Sequence, residues 1–598
     1  MSGVNDFAFK IATVNGTGSA SANTLLMQAI FRMGIPVSGK NLFPSNIQGL
    51  PTWYEIRVSA AGYTARPSAL DLVVAMNPAT YAKDVAAVRP GGYLLFDSSW
   101  PLEPGLHCRD ITTLGAPFGR MCVEAFTGDR ERTLLRNIVY SGALAALLDM
   151  DLEVIGESLR QTFAKKRALL DANFRAVKMG HDYAREHFGG PLPFRLERMS
   201  ATGDQILIDG NTAAALGCLY AGATVGAWYP ITPATSLMEA FKGFCQRYRV
   251  DQETGKKRFC IVQAEDELAA AGIVLGAGWA GARAFTPTAG PGISLMQEFL
   301  GLGYYAEVPA VFFDVQRAGP STGMPTRTQQ SDLLSLAYAS HGDTKHLVLF
   351  PANPAECFPF AVQAFDLAER FQTPVFVALD LDIGMNDWMC PRLAWDDAYR
   401  PDRGKVLSAE ELEGIQRFSR YVDRDGDGIA ARTLPGVDPK GAYFLRGSGH
   451  DQHGVYTEDA DEYRAVMDRI GRKIAAAAEA LPAPEIRLAD GAEIGIVTVG
   501  GCHAAVIEAI DRLREQGIAA DYMRVRGFPF GAAVGGFLRD HERCFVVEQN
   551  RDAQLRTLLC AETGVSRDRM IPVLEYGGLP LAADEVVRAV TTQLSVAV

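Results

Sequence analysis

Residues 267–281 constrain the fold most strongly, because they combine a helical pattern with repeated glycines. Glu267 is followed by a leucine and three alanines, and Gly272 and Gly276 then lie four residues apart. Glycine lowers helix propensity, so glycines at this spacing indicate close packing of the helix backbone against a neighbour. An apolar segment at residues 259–263 precedes the helix and is a predicted strand. A strand followed by a closely packed helix is typical of an α/β sheet.

The same alternation continues along the middle of the chain. Strands are predicted at residues 283–288, 309–315, 346–350 and 374–379, and helices at residues 294–304 and 354–370. Such alternation is typical of a parallel sheet, in which ligand-binding groups follow the carboxyl ends of the strands. We therefore expect the junctions at residues 229–233, 265–267 and 316–323 to bring a threonine, a carboxylate and a guanidinium together.

The segments on either side of this region differ in character. Before it, strands are predicted at residues 7–14, 71–76 and 93–97, and a polar helix near residues 163–187 precedes the loop at residues 189–193. After it, residues 391–482 are polar and irregular, with helical patterns at residues 409–418 and 459–480. Residues 493–598 return to strands, at 494–499, 519–525, 544–548 and 570–574, with a helix at 502–515. A chain of 598 residues with these changes is expected to form several domains.

The composition is that of an ordinary globular protein and argues against several classes of partner. With 58 basic and 70 acidic side chains the formal net charge is -12, and no long basic run occurs, so neither nucleic acid nor an anionic membrane is the expected main partner. No apolar run reaches transmembrane length and the first residues do not resemble a secretory signal, so a cytoplasmic protein is expected. The ten cysteines form no C-x-x-C and are interpreted as small buried hydrophobic residues, not as disulfides or iron–sulfur ligands.

Gly16 and Gly18 lie between the first predicted strand and its helix, where free backbone amides can hold a phosphate. An acid that would bind a ribose hydroxyl is missing, because no aspartate or glutamate occurs between Asp6 and Glu55. A tight turn is therefore the preferred interpretation. A non-catalytic scaffold that binds a nucleotide through residues 16–21 remains an alternative.

Two later loops contain residues that also occur in metal sites. Residues 423–428 place aspartates at alternate positions, as a calcium loop does, but Leu434 stands where the bidentate glutamate is expected. His450 and His453 are close in sequence but have no nearby cysteine. We interpret these segments as a tight polar turn and as hydrogen-bonded loop histidines, and we predict no metal site on this chain.

Three motifs together resemble those of the 2-oxoacid:ferredoxin oxidoreductases. They are Y-P-I-T-P at residues 229–233, E-x-A-A-A-G-x-x-x-G-A from Glu267, and V-Q-R-x-G-P-S-T-G at residues 315–323. Their order and spacing match the family, and the match extends over nearly the whole chain. Residues 38–59 also resemble a segment of the family's γ subunit, which would here be fused to the front of the α subunit.

The resemblance implies an α/β chain of three domains. Residues 1–193 would form a γ-type domain, residues 200–390 a parallel-sheet domain that binds the pyrimidine side of thiamine diphosphate (TPP), and residues 490–598 a transketolase C-terminal-like domain, with residues 391–482 as a polar connecting segment. A separate β subunit would supply the diphosphate side of the TPP site. The chain itself has a Gly-Asp-Gly triplet at residues 426–428. A diphosphate motif also requires asparagines downstream of the triplet, but none occurs before Asn550.

The resemblance also implies roles for individual residues. Glu267 aligns with the glutamate that hydrogen bonds to the pyrimidine ring and performs acid–base work, with Glu265 as the alternative; a helix-capping carboxylate is the structural interpretation of either. Thr232 and Arg317 would bind the substrate carboxylate or carbonyl, Arg317 as a bidentate clamp, unless they serve only as a turn residue and a surface ion pair. The other implied contacts are Tyr229, Pro230 and Ile231 for the cofactor and Ser321, Thr322 and Arg327 for the substrate.

The implied reaction is the reversible oxidative decarboxylation of a 2-oxoacid with coenzyme A (CoA), with electrons passing to ferredoxin. The fused γα form and residues 38–59 most resemble enzymes that convert 2-oxoglutarate to succinyl-CoA, and pyruvate or branched-chain 2-oxoacids are the alternatives. Arg327 and Lys345 are the candidates for binding a distal carboxylate. The β subunit would carry Mg²⁺ and a 4Fe–4S cluster, in an (αβ)₂ assembly.

Overall fold

The computed structural model describes residues 3–45, 49–162 and 167–596. The chain divides into two compact units. The first comprises residues 1–208, 386–392 and 581–585, and the second comprises residues 209–385, 393–580 and 586–598. The main segment of the first unit thus ends close to the predicted end of the γ-type domain at residue 193. Most of the predicted parallel-sheet domain and of the predicted C-terminal domain lies in the second unit. The individual domain boundaries stay predictions.

The first unit is built on a six-stranded mixed sheet. In spatial order its strands are Val37–Leu42, Pro51–Ser59, Asp6–Val14, Leu70–Ala75, Val88–Asp97 and Thr112–Ala116. The first three pair antiparallel, and the pairings from Asp6–Val14 onward are parallel. The three strands predicted here are confirmed. The antiparallel strands Val37–Leu42 and Pro51–Ser59 were not predicted; they lie in the motif at residues 38–59, of which residues 46–48 fall outside the described part of the chain.

Helices and two small strand pairs complete the first unit. The helices are Ser19–Arg32, Tyr81–Ala87, Phe118–Ala125, Asp129–Leu147, Leu152–Thr162 and Arg167–Phe188. The strand pairs are Gly3–Val4 with Phe194–Arg195 and Gln205–Ile208 with Trp388–Pro391. The polar helix predicted near residues 163–187 is confirmed from residue 167, and residues 163–166 lie outside the described residues.

The second unit contains two sheets. In spatial order the first has the strands Cys260–Gln263, Val225–Trp228, Ala284–Thr288, Ala310–Gln316, Pro374–Asp380, Leu347–Leu349 and Gly527–Phe528. All its pairings are parallel except the last, which confirms the predicted parallel sheet. The second has the strands Glu485–Arg487, Ala520–Val525, Ile494–Val499, Cys544–Glu548 and Met570–Leu574, and only Glu485–Arg487 pairs antiparallel.

The helices of the chain after residue 208 cover both sheets. They are Gly210–Tyr220, Thr235–Tyr248, Glu267–Trp279, Gly290–Leu295, Gln297–Tyr305, Leu333–Ala337, Pro354–Phe371, Leu381–Met385, Ala409–Glu413, Ala460–Ala477, His503–Glu515, Ala532–Asp540, Gln554–Thr563 and Ala583–Val596. One buried apolar core contains residues from both sheets, including Phe312, Phe376, Val497 and Phe528. The C-terminal segment therefore adds a strand to the parallel sheet of the second unit, called here the central sheet, and contributes residues to its core.

Two predicted helices differ from the structure. The helix predicted at residues 294–304 is divided at Met296, whose ψ of -2° departs from helical geometry. At this break Gln297 Nε2 donates to Ile293 O at 2.9 Å, so a side-chain amide satisfies the carbonyl four residues earlier. The helical pattern at residues 409–418 ends already at Glu413, with Gly414 as the helix C-cap.

The glycines of the helix Glu267–Trp279 have different surroundings. A Cβ added at Gly278 would lie 2.1 Å from Pro309 O, and one at Gly272 would lie 2.9 Å from Phe299 Cζ. Both positions therefore require a residue without a side chain. The prediction of close packing is confirmed at Gly272 and wrong at Gly276, where a Cβ would have no neighbour within 4 Å.

Candidate active site

The three predicted junctions follow strands of the same parallel sheet. The strand Val225–Trp228 leads into Tyr229, Cys260–Gln263 leads toward Glu267, and Ala310–Gln316 ends immediately before Arg317. These strands run in one direction, so their carboxyl ends lie at one edge of the sheet. The sheet topology therefore places the predicted residues at its ligand-binding edge.

Arg317 contacts the Y-P-I-T-P segment directly. Its Nη1 donates to Thr232 O at 2.8 Å, although 85 residues separate the two in sequence. The side chain is buried, and its Nε has no hydrogen-bond partner among the described residues. Burial lowers the pKa of the Arg317 guanidinium, and the nearby Asp332 opposes this shift. An arginine stays charged in proteins, so the site contains a buried cation with donors still free to bind an anion.

The Y-P-I-T-P segment presents both apolar and polar groups. Tyr229 and Pro230 are exposed, and Ile231 and Thr232 are half-buried. Asn211 Nδ2 donates to Pro233 O at 2.8 Å, so the segment is fixed at its far end as well. Within the described ranges, no hydrogen bond involves the Thr232 hydroxyl, which leaves it able to donate to a ligand.

The three acids at the start of the helix Glu267–Trp279 have different environments. Asp266 is the N-cap, and its Oδ1 accepts from Ala269 N at 2.7 Å. Glu265 and Asp266 are exposed, whereas Glu267 is buried at 7% exposure. In the part of the chain that the structure describes, no hydrogen bond or ion pair involves the Glu267 carboxylate. The capping role thus belongs to Asp266, and capping does not account for Glu267.

Gly292 lies close to both Glu267 and Thr288. A Cβ at this glycine would lie 2.0 Å from Thr288 Oγ1 and 2.9 Å from Glu267 Cγ. Thr288 is fully buried, and its hydroxyl has no partner among the described residues. A buried carboxylate and a buried hydroxyl without partners fit a ligand that offers hydrogen-bonding nitrogen atoms, as an aminopyrimidine ring does.

The loop after Arg317 forms a closed turn. Ala318 and Met324 pair across it, and Gly323 has a φ of +55°. A Cβ at Gly323 would lie 1.9 Å from Ala318 O, so the turn requires glycine there. Ser321 and Thr322 are exposed at its tip.

Arg327 and Lys345, the two candidates for a distal carboxylate, lie in different places. Arg327 follows the turn and its Nη1 donates to Thr326 O at 2.8 Å; burial lowers the pKa of its guanidinium. Lys345 precedes the strand Leu347–Leu349, at the opposite edge of the parallel sheet, and its Nζ contacts Glu562 Oε2 at 2.8 Å. The topology therefore favours Arg327.

The alternative sites have internal partners. Gly18 is covered, because a Cβ there would lie 2.5 Å from Leu134 Cδ2, and Thr17 O accepts from Asn137 Nδ2 at 2.7 Å. In the 423–428 loop, Asp423 accepts from the amides of Gly426 and Gly428, as a tight polar turn does. His450 and His453 contact Ser448 O and Ser419 Oγ, which confirms them as hydrogen-bonded loop residues.

The residues that the structure describes contain no group of three or more His, Cys, Asp or Glu side chains that could hold a metal ion. Seven cysteines are buried, but Cys108 and Cys260 are exposed, so the prediction of uniformly buried cysteines is wrong there. None of the helices in residues 3–45, 49–162 and 167–596 has the length and apolar character needed to cross a bilayer.

Sequence reasoning missed three polar residues at this edge of the sheet. Thr288 and Asp314 end or interrupt strands that were predicted only as apolar, and Asp332 follows the turn. An aspartate inside the run Val-Phe-Phe-Asp-Val was the available signal, because an acid in a buried strand is costly unless it has a function or a partner.

Comparisons with known proteins agree along the chain. Residues 216–391 match the family of the thiamine diphosphate-binding domain of pyruvate flavodoxin/ferredoxin oxidoreductases, and residues 8–183 match the pyruvate ferredoxin/flavodoxin oxidoreductase family. The chain is 32% identical to the α subunit of 2-oxoacid:ferredoxin oxidoreductase 2 from Aeropyrum pernix, over 98% of this chain and 97% of the relative. It is 30% identical to the 2-oxoglutarate oxidoreductase subunit KorA from Mycobacterium tuberculosis, over 88% of this chain and 81% of the relative.

A solved structure is similar over the whole length. The 2-oxoglutarate:ferredoxin oxidoreductase from Magnetococcus marinus, solved with 2-oxoglutarate, coenzyme A and succinyl-CoA bound, superposes with a TM-score of 0.88 at 27% identity. The superposition covers 99% of this chain and 100% of that chain.

Proposed function

Because this chain belongs to the 2-oxoacid:ferredoxin oxidoreductases as an α subunit, we propose that its substrate is 2-oxoglutarate, which it converts reversibly with CoA to succinyl-CoA and CO₂. The buried Arg317, whose Nη1 contacts Thr232 O and whose Nε has no partner among the described residues, is the observation that supports binding of a 2-oxoacid carboxylate. The names of the relatives and the ligands of the similar structure support 2-oxoglutarate over pyruvate or a branched-chain 2-oxoacid.

In this proposal the cofactor's pyrimidine side lies against Tyr229, Pro230, Ile231 and Glu267. When bound, TPP supplies a nucleophilic carbon, formed by loss of its thiazolium proton with the help of the pyrimidine imino tautomer. The Glu267 carboxylate would hydrogen bond to the pyrimidine nitrogen and would hold or move a proton there. Its burial away from other side-chain partners keeps that carboxylate available for the ligand.

Arg317 and Thr232 would bind the part of the substrate that all 2-oxoacids share. Two parallel N–H groups of the guanidinium match a carboxylate, and Thr232 can donate its hydroxyl to the same group or to the ketone. Ser321 and Thr322, at the exposed tip of the turn, and Arg327 would contact the remainder of the substrate. Arg327 would bind the distal carboxylate that distinguishes 2-oxoglutarate from pyruvate.

Competition between substrates tests this proposal. The assembled enzyme should show its highest kcat/KM with 2-oxoglutarate, compared with pyruvate and a branched-chain 2-oxoacid. Arg327→Met should lower kcat/KM for 2-oxoglutarate by at least about tenfold and leave the value for pyruvate nearly unchanged, because only 2-oxoglutarate loses an ionic contact. Lys345→Met is the matched control and should not alter the preference. A wild-type preference for pyruvate would overturn the substrate assignment.

The proposed assembly places the diphosphate side of TPP, Mg²⁺ and the 4Fe–4S cluster on a β subunit, in an (αβ)₂ complex that reduces ferredoxin. The purified α chain should therefore contain no stoichiometric iron and should not reduce viologen with 2-oxoacid and CoA. The complex formed with the β subunit should contain iron and should reduce viologen. Its mass by light scattering should equal that of two αβ units. Iron bound to the isolated chain, or turnover without the β subunit, would contradict this arrangement. The cytoplasmic location stays a prediction.

A further inference from the structure

A small cavity in the first unit is lined by basic side chains that the proposed chemistry does not use. Its volume is about 390 Å³, and Arg120, Arg132 and Arg136 form part of its wall together with Trp100. In the part of the chain that the structure describes, no aspartate or glutamate belongs to this wall. Three cations without an acid, in a chain whose net charge is -12, make the cavity a local positive site that attracts anions.

The cavity lies at the carboxyl edge of the mixed sheet. Trp100 follows the strand Val88–Asp97, and Arg120 belongs to the helix that follows the strand Thr112–Ala116. These two strands pair parallel, so the segments after them begin at the same edge of the sheet. In α/β sheets this is the edge that presents ligand-binding groups.

Arg132 stabilises the wall of the cavity. Its Nε donates to Phe126 O at 2.7 Å, and its Nη1 forms an ion pair with Asp129 Oδ1 at 3.2 Å. Both contacts lie at the start of the helix Asp129–Leu147, which forms one side of the cavity. The Arg132 guanidinium is therefore used within the protein, and we assign it a structural role.

Arg120 and Arg136 have no such partners. Among the described residues, neither guanidinium takes part in a hydrogen bond or an ion pair, and the buried Nε of Arg136 has no acceptor. The buried Asp97 accepts from the amides of Ser99 and Gly119 and does not pair with either arginine. Two charged groups that carry only donors and face one cavity suit an anion with several acceptor oxygens, as a phosphate group is.

Trp100 adds a surface that can recognise a planar ring. Its side chain is 40% exposed, and the Arg136 guanidinium lies 5.5 Å from the centroid of its ring. A ligand in the cavity can therefore meet donors for a phosphate and a flat apolar surface for a base side by side. Small-molecule sites have volumes of about 300–1,000 Å³, so this cavity suits one end of a ligand and not a whole coenzyme.

We propose that this cavity binds a phosphorylated nucleoside, with a phosphate at Arg120 and Arg136 and the base on Trp100. Two kinds of ligand carry this chemistry. One is CoA, whose adenosine bears phosphate groups, and the other is a free adenine nucleotide. CoA as the ligand rests on the proposed function, in which it is the co-substrate, whereas binding of a free nucleotide does not.

Titration of the assembled enzyme tests the site directly. The probes are CoA, ADP and inorganic phosphate, each followed by calorimetry at low ionic strength. Arg120→Met and Arg136→Met should each weaken binding of the adenine ligand by about tenfold or more, because each removes charge-assisted hydrogen bonds. Trp100→Leu should weaken the same ligand but leave inorganic phosphate unchanged, because it removes only the contact with the base.

Steady-state kinetics identify the source of the ligand. If the ligand is CoA, both arginine variants should raise KM for CoA and leave KM for the 2-oxoacid unchanged. If it is a free nucleotide, they should lose affinity for ADP and keep the wild-type KM for CoA. Arg130→Met, an exposed arginine of the same helix outside the cavity, is the control and should match the wild type.

Unchanged affinity for both CoA and ADP in the two arginine variants would overturn the proposal. A loss of affinity that Arg130→Met shares would also overturn it, because the loss would then reflect the net charge of the enzyme. Arg120 is exposed, so its substitution tests the site even if Arg136→Met does not fold. Calorimetry needs no turnover, so an error in the proposed reaction would not imitate a failure of the site.

Discussion

Glu267→Gln is expected to lower kcat of the assembled enzyme by about 10² to 10⁴, the range for a positioned acid–base group. The change is nearly isosteric and removes the charge that is proposed to promote the pyrimidine tautomer. The free energy of unfolding should change little, since Asp266 and not Glu267 caps the helix. The measurements are 2-oxoacid-dependent viologen reduction, exchange of the thiazolium proton of bound TPP, and denaturant unfolding of the α chain.

The neighbouring acids provide the controls. Glu265→Gln, at an exposed position, should have only a small effect in every assay. Asp266→Ala should cost about 1 kcal/mol of stability, as loss of an N-cap does, with a small effect on kcat. Proton exchange that survives in Glu267→Gln but fails in Glu265→Gln would move the catalytic role to Glu265. Exchange that survives in both would remove the role from this helix.

Arg317→Lys is expected to lower kcat/KM for the 2-oxoacid by about 10²-fold, the effect of misplacing a bound group by roughly 1 Å. Lysine keeps the positive charge, but it cannot hold Thr232 O and present two parallel donors to a carboxylate at the same time. The affinity for TPP should be unchanged, because the guanidinium is proposed to bind the substrate and not the cofactor.

TPP binding is measured by titration of the assembled complex, and substrate use by steady-state kinetics. Arg247→Lys, at an exposed position near the end of the helix Thr235–Tyr248, is the control and should behave as wild type. Unchanged KM and kcat in Arg317→Lys would count against the carboxylate clamp, and a parallel loss of TPP affinity would indicate a wider disturbance.

Local patterns predicted the order of strands and helices in the second unit, because buried parallel strands are short apolar runs that glycine and proline interrupt. The hairpin-like pair Val37–Leu42 and Pro51–Ser59 was not recognised, since Ser38, Gly39 and Lys40 are polar or small yet buried. At Gly276 the spacing was right and the interpretation wrong, because spacing does not say which face of a helix meets a neighbour.

The site could be predicted only as far as its motifs extend. The resemblance favours Glu267 and keeps Glu265 as the alternative, and only the structure shows that Glu267 is buried whereas Glu265 is exposed. The contact from Arg317 to Thr232 O involves a backbone carbonyl, which every residue has, so no pattern reveals it.

The strand Gly527–Phe528 limits how the C-terminal segment can be exchanged during evolution or engineering. It closes the edge of the central sheet at Leu347–Leu349, and Phe528 contributes to the common core. A recombination boundary near residues 482–490 would separate the C-terminal strand from the strand with which it pairs in the sheet. Replacement segments from relatives are therefore restricted to those that reproduce both this antiparallel strand and the apolar surface behind it.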